Sequence, residues 1–97
     1  MKGYAILILG AADGSDTPFD LQYVVEYQPE FWAGSSAVDQ HFLKTSPRED
    51  DARIFPKLEG AFEYWRQTQP APHDVRDDGK PNRPLTGFHV TMIKING

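Results

Sequence analysis

IFPKLEGAFEYWRQ, residues 54–67, is the one segment of the chain with a clear helical apolar face, and the remaining sequence has to supply what packs against it. Leu58, Ala61, Phe62 and Trp65 fall at i, i+3, i+4 and i+7, which sets their side chains on one stripe. Pro56 suits the first helical turn, because its fixed φ is already helical and its missing N–H has no intrahelical partner to lose. Pro70 disfavours helical backbone at Gln69, so the spacing predicts a helix that stops near Gln67 or Thr68. Gly60 in the interior costs about 1 kcal/mol relative to Ala, and Lys57 stands where a Ser or Asp cap would help. A helix of about three turns with those defects is not stable alone in water. Its stability has to come from burying the stripe on a sheet.

The strands are read outward from there. YAILIL, residues 4–9, is a continuous apolar run closed by Gly10, the pattern of a strand covered on both faces. One helix covers one face, so the second must meet a loop, a further layer or another subunit; this is the sequence argument for a partner or a homodimer. Residues 11–18, with Asp13-Gly14, form a polar turn-rich connection. Leu21, Tyr23, Val25 and Tyr27 alternate with Gln22, Val24, Glu26 and Gln28, which predicts a second strand with one apolar and one mostly polar face, ended by Pro29. A third strand is expected over residues 38–45, with Val38, Phe42 and Gln40 on one side, and a helical turn or tight loop over 46–51. Residues 85–95 form the last strand, where Phe88, Val90 and Met92 alternate with His89, Thr91 and Ile93. Between helix and last strand, residues 69–84 hold Pro70, Pro72, Pro81, Pro84 and Asp78-Gly79 without apolar periodicity, a long loop. Loops above about 12–15 residues are usually functional or disordered, which makes this one a candidate binding element. The expected fold class is α+β: two layers, a three- to four-stranded antiparallel sheet with one helix on one face.

Ninety-seven residues, 39% of them hydrophobic, suffice for one core, so residues 1–97 are expected to be a single domain. The net charge of −4 argues against non-specific binding to a phosphate backbone. Cysteine is absent, which removes disulfides, thiolate catalysis and thiolate metal sites and fits a cytoplasmic protein. Lys2 and the apolar run at 4–9 imitate a signal peptide, but that run is shorter than the about 7–15 apolar residues such a peptide needs. No run approaches the roughly 20 residues of a membrane-spanning helix, and no membrane contact is expected.

No motif in the chain names a reaction. His41, His73 and His89 lack the close pairing that zinc sites favour, so solvated or core-edge histidines are the better reading and no metal or cofactor is expected. Asp13-Gly14-Ser15-Asp16 lacks the terminal Glu and spacing of a calcium loop. Asp77 and Asp78 beside Lys80 read as turn formers rather than an acid–base pair. Nucleophile elbow, phosphate loop and dinucleotide fingerprint are all missing, so no enzymatic activity is expected. Arg66, Arg76, Lys80, Asn82 and Arg83 gather around the long loop, where guanidinium groups would pair with phosphate in an anion or nucleic-acid site. The plainer reading has Asp74, Asp77 and Asp78 neutralise the cations while Asn82 and Arg83 fix the loop to the helix end, and it is preferred. An acidic face built from Asp13, Asp16, Asp20, Glu49, Asp50 and Asp51 is read as solvated surface rather than a nucleic-acid mimic. Phe31 and Trp32, beside Gly34-Ser35-Ser36, are the sharpest local anomaly: a protein-binding hot spot if exposed, a lid on the second sheet face if turned inward.

Two stretches also resemble a known group. DGKPNRPLT, residues 78–86, follows Phe55, Ala61 and Trp65 and precedes Phe88, and YVVEYQPE, residues 23–30, matches a strand that usually reads YLxxYDPE, with Gln28 in place of the aspartate. From Tyr23 to Ile95 the chain thus resembles a family of small uncharacterised phage and prophage proteins, from which residues 31–38 depart. The resemblance implies a phage or prophage origin and no known chemistry. By analogy with phage accessory proteins of this size, it points to binding of a host or phage protein, an anti-CRISPR-like inhibitor of host machinery being the sharpest form. Two alternatives stay open: a nucleic-acid-binding accessory protein using the basic loop at 66–83, and a structural homo-oligomer joined through the second face of the first strand.

Overall fold

In the computed structural model of the chain, the described residues are 2–31 and 42–96, with Phe31 described in its backbone only. They form an α+β fold with one four-stranded antiparallel sheet and one helix. The elements are β1 (Gly3–Ala11), β2 (Tyr23–Tyr27), β3 (Leu43–Ser46), α1 (Leu58–Trp65) and β4 (Phe88–Ile95), with 3₁₀ turns at Pro29–Phe31, Glu49–Asp51 and Pro84–Gly87. The sheet order is β3-β2-β1-β4. The apolar run at 4–9 therefore lies inside the sheet, as a continuous hydrophobic strand should.

β1 and β4 pair along their whole length, from Gly3↔Ile95 to Ala11↔Phe88, with Leu9 bulged out between the Ile8↔Val90 and Gly10↔His89 pairs. β1 and β2 meet only at Leu7↔Tyr23. Beyond that pair, residues 53–55 take the place of β2 beside β1. Tyr4 and Phe55 exchange both backbone hydrogen bonds at 2.8 Å, and the Arg53 N–H donates to the Val24 carbonyl at 3.0 Å. Gly3 makes this wedge possible: it sits at φ 139°, and a Cβ there would fall 2.2 Å from the Phe55 carbonyl oxygen.

The main core lies between the sheet and α1. Ile6, Ile8, Val24, Tyr27, Leu43, Phe55, Ala61, Leu85 and Phe88 are buried in it, with Tyr64, Trp65, Val90 and Met92 against its margin. Phe19 stands edge-on to Phe88, ring centres 5.8 Å apart, and the Arg53 guanidinium lies 4.7 Å above the Tyr64 ring. The second face of β1 is covered in part from within the chain, because Ala5, Ala52 and Ile95 form a small buried cluster flanked by Tyr23, Ile54 and Ile93. Of the three expected covers, a loop supplies this one, at the Tyr4 end of the strand.

Several boundaries and faces differ from expectation. The helix runs over Leu58–Trp65 and not to Gln67, with Lys57 as its uncapped N-cap and Pro56 outside the first turn. The wedge explains the late start, since Phe55 must stay extended to pair with Tyr4. The inward stripe is Ala61, Tyr64 and Trp65; Leu58 and Phe62 are 40% and 44% exposed. The ring of Tyr64, tilted against Phe55 at 5.2 Å, fills the space that Phe62 was expected to occupy. On β2 the buried residues are Val24 and Tyr27, three apart, because the register shifts between Val24 and Glu26 and so interrupts the alternation. β3 begins at Leu43 and ends at Ser46; the expected Val38 and Gln40 lie outside the described residues, and Phe42 is buried just before the strand. Residues 49–51 do form a helical turn, where the Ser46 hydroxyl donates to the Asp51 carboxylate at 2.7 Å.

Candidate functional site

The backbone departs from ordinary geometry at the β1–β2 junction. Residues 19–22 form a tight turn closed by a hydrogen bond from the Gln22 N–H to the Phe19 carbonyl at 3.1 Å. Its third residue, Leu21, has φ 61°, and it is the only non-glycine with positive φ among the described residues. Leu21 and Gln22 together oppose Ile8: the Leu21 N–H donates to the Ile8 carbonyl at 2.8 Å, and the Ile8 N–H donates to the Gln22 carbonyl at 2.9 Å. That is the bulge whose first position normally holds glycine. A leucine there costs roughly 1–2 kcal/mol of steric strain.

The surroundings hold that strain in place. Phe19 is anchored in the core, the Thr17 hydroxyl donates to the Asp20 carboxylate at 2.7 Å and accepts from the Phe19 N–H at 3.2 Å, and Ile8 is fixed in the ladder. Yet the Leu21 side chain contributes little to the interior, since it is 68% exposed. Leu9, pushed out by its bulge next to the carbonyl that receives the Leu21 N–H, is 49% exposed. Leu7 and Tyr23, paired on the helix-free face, are half-buried beside them. Two bulges on neighbouring strands thus present two leucines where sheet geometry alone would not require either.

The proline-rich loop is a structured arm. Residues 74–76 and 80–82 pair as a short hairpin, with the Arg76 N–H donating to the Lys80 carbonyl at 2.8 Å and the Asn82 N–H to the Asp74 carbonyl at 2.9 Å. The tip turns on Gly79 at φ 83°, whose N–H donates to the Arg76 carbonyl at 2.9 Å. Asn82 clamps the base: its side-chain amide donates to the His73 carbonyl at 2.8 Å, and its own carbonyl accepts from the buried Gln69 N–H at 2.9 Å. Arg76 and Lys80 face one another across the tip, where Arg76 pairs with Asp78 at 3.5 Å. Arg83 stands at the hairpin base with its Nε buried, and Arg66 caps the end of α1. The basic residues are therefore spread between tip, base and helix end, with Asp74, Asp77 and Asp78 in the same arm. Val75, 56% exposed, adds an apolar side chain to it.

Of the remaining candidates, Phe31 closes a 3₁₀ turn, and its side chain, like Trp32 and His41, lies outside the described residues. His73 sits in the arm and His89 on β4. Asp13 is tied to its own turn, where the Ser15 hydroxyl and N–H donate to its carboxylate at 2.6 and 2.9 Å; these bonds, the hydroxyl's first, hold its pKa below the ordinary carboxylate range. Among the described residues no group of three or more His, Asp or Glu is placed to hold a metal ion. None of their helices is long and apolar enough to cross a membrane. Among the described residues Tyr27 is the strongly displaced group: burial, and then the nearby Tyr64 hydroxyl, push it up to about 12.

The signal for Leu21 was in the sequence only as a missed rule. Asp20-Leu21 follows Thr17-Pro18-Phe19, a turn-forming run, yet the position that needs positive φ carries no Gly or Asn. No family model, no curated protein and no solved structure matches the chain.

Proposed function

We propose that the chain works without catalysis, by binding another protein through the helix-free face at the β1–β2 junction. Exposure of Leu21 at a strained backbone position carries this reading. A leucine at that site disfavours folding through its φ and gains little burial in return, so a role outside the fold accounts for its presence. Leu9 beside it widens the apolar area, and apolar residues clustered on a rigid sheet suit a protein partner. With the family resemblance, the proposal extends to a phage or prophage accessory protein whose partner is a host or phage protein, an inhibitor of host machinery being its sharpest form. Phe31 and Trp32 remain proposed contacts of the same kind.

Support for a nucleic-acid partner is weaker. The cations at the arm's tip share it with Asp77 and Asp78, and Asp74 lies at its base; phosphate binding needs an excess of positive charge.

The test compares the wild-type chain with Leu9→Ser/Leu21→Gly as baits in bacterial host lysate. The proposal expects a stoichiometric protein partner on the wild type and its loss from the variant, which melts no lower than the wild type. Equal capture by both baits, or a partner removed by nuclease, would overturn it.

A further inference from the structure

The sheet has two edges, and they are not equally protected. β3 is four residues long, carries Lys44, pairs with β2 through an irregular register and is followed by Pro47, all features that discourage further pairing. β4 is eight residues long, regular and free of proline, and Lys94 near one end is its only Lys, Arg, Asp or Glu.

The register shows which β4 groups are unused. Tyr4 and Ile8 direct their backbone N–H and C=O away from β4, toward Phe55 and toward residues 21 and 22. By the alternation of an antiparallel ladder, Gly3, Ala5 and Leu7 are the residues that bond β4, and their partners are Ile95, Ile93 and Thr91. Val90, Met92 and Lys94 therefore point their N–H and C=O groups outward, and the Phe88 carbonyl joins them; the Phe88 N–H is already bonded to Leu85. Among the described residues nothing pairs with this row.

We infer that β4 pairs antiparallel with β4 of a second copy about a two-fold axis at Thr91, joining two sheets into one. In that register Val90 exchanges backbone bonds with Met92 of the other copy, the Phe88 carbonyl accepts from the N–H of the other Lys94, and the two Thr91 side chains face each other on the helix-free side, a favourable cross-strand pair. The two lysines fall at opposite ends of the pairing. Charge also favours this edge: the chain carries −4 overall, but β4 itself holds no Asp or Glu, so the pairing strands bring no acid of their own together. A single strand pair buries less than about 1,200 Å², so the dimer is reversible. This surface is separate from Leu9 and Leu21, and its failure would leave the proposed partner face untouched.

The absence of cysteine makes the test clean. Thr91→Cys puts two thiols across the axis at a non-hydrogen-bonded pair, where a disulfide is reachable. Under mild oxidation it should cross-link at least about tenfold faster than the exposed control Thr68→Cys, because pairing raises the local thiol concentration. Light scattering of the wild type should rise from one chain mass toward two with concentration, and Thr91→Lys, which sets two cations face to face, should hold it at one while keeping the wild-type circular dichroism. A constant single-chain mass up to about 1 mM, cross-linking no faster than the control, or a dimer indifferent to Thr91→Lys would each overturn the inference.

Discussion

The two sides of β1 are built on different terms. Toward β4 it makes a ladder along its whole length, with one residue bulged out. Toward β2 it makes one regular pair and then yields to the wedge at 53–55 and to a bulge that opens on a left-handed leucine. The first side has geometry that any apolar, β-branched run would satisfy. The second depends on a glycine with no room for a side chain and on a leucine where glycine would be easier. The long pairing lies on one side of the strand and the departures from local preference on the other.

Three substitutions probe that contrast, the largest effect first. Ile6 is 1% exposed and paired with Met92 in the ladder, so Ile6→Ala should lower the unfolding free energy by about 2–5 kcal/mol in chemical denaturation. A loss below about 1 kcal/mol would mean that the ladder side is not the stable one. Leu21→Gly should act in the opposite direction, raising stability by up to about 1 kcal/mol once relief of the φ strain is set against the greater freedom of glycine in the unfolded chain. A destabilised Leu21→Gly protein would show that the leucine serves the fold after all, and would remove the basis for the partner face.

The third effect is confined to alkaline pH. Tyr27 titrates at about 12 in the folded chain against 10.0 for the unperturbed group. Below pH 10 it is protonated in both states and contributes no slope. Between pH 10 and 12 the unfolded chain loses the proton first, so stability falls as pH rises through that window. Tyr27→Phe should flatten this alkaline limb, and near neutral pH it should change stability little, because the buried hydroxyl has no hydrogen-bond partner among the described residues. An unchanged alkaline limb would place the titration elsewhere.

What could be read from the sequence divides along the same line. The antiparallel α+β class, the inner position of β1 and the alternation of β4 were legible because each is a property of one segment's own pattern. The helix was found in the right place but rotated: spacing identified Leu58 and Phe62 as apolar neighbours without revealing that Tyr64, held against Phe55, would take the inward position. On β2 the expected face held only at Tyr27, while Val24 took the other buried place, because a bulge is a relation between two strands and leaves no mark on the period of either. In the long loop, Asp78-Gly79 did announce a turn, but the pairing of 74–76 with 80–82 involves Val75 and Pro81, which carry no strand signal. Leu21 was invisible for a deeper reason, since a residue that defies its turn cannot be found by rules that describe obedience.

The long ladder also governs how the molecule assembles in time. Gly3 and Ile95 lie side by side in the sheet, although almost the whole chain separates them. During synthesis β1 leaves the ribosome before β4 and has no partner on that side until β4 follows. The entropy of closing so large a loop grows only slowly with its length, but contacts of such high sequence separation slow folding. The apolar run at 4–9 therefore waits unpaired on that side of the nascent chain, and β4 is the strand that shelters it.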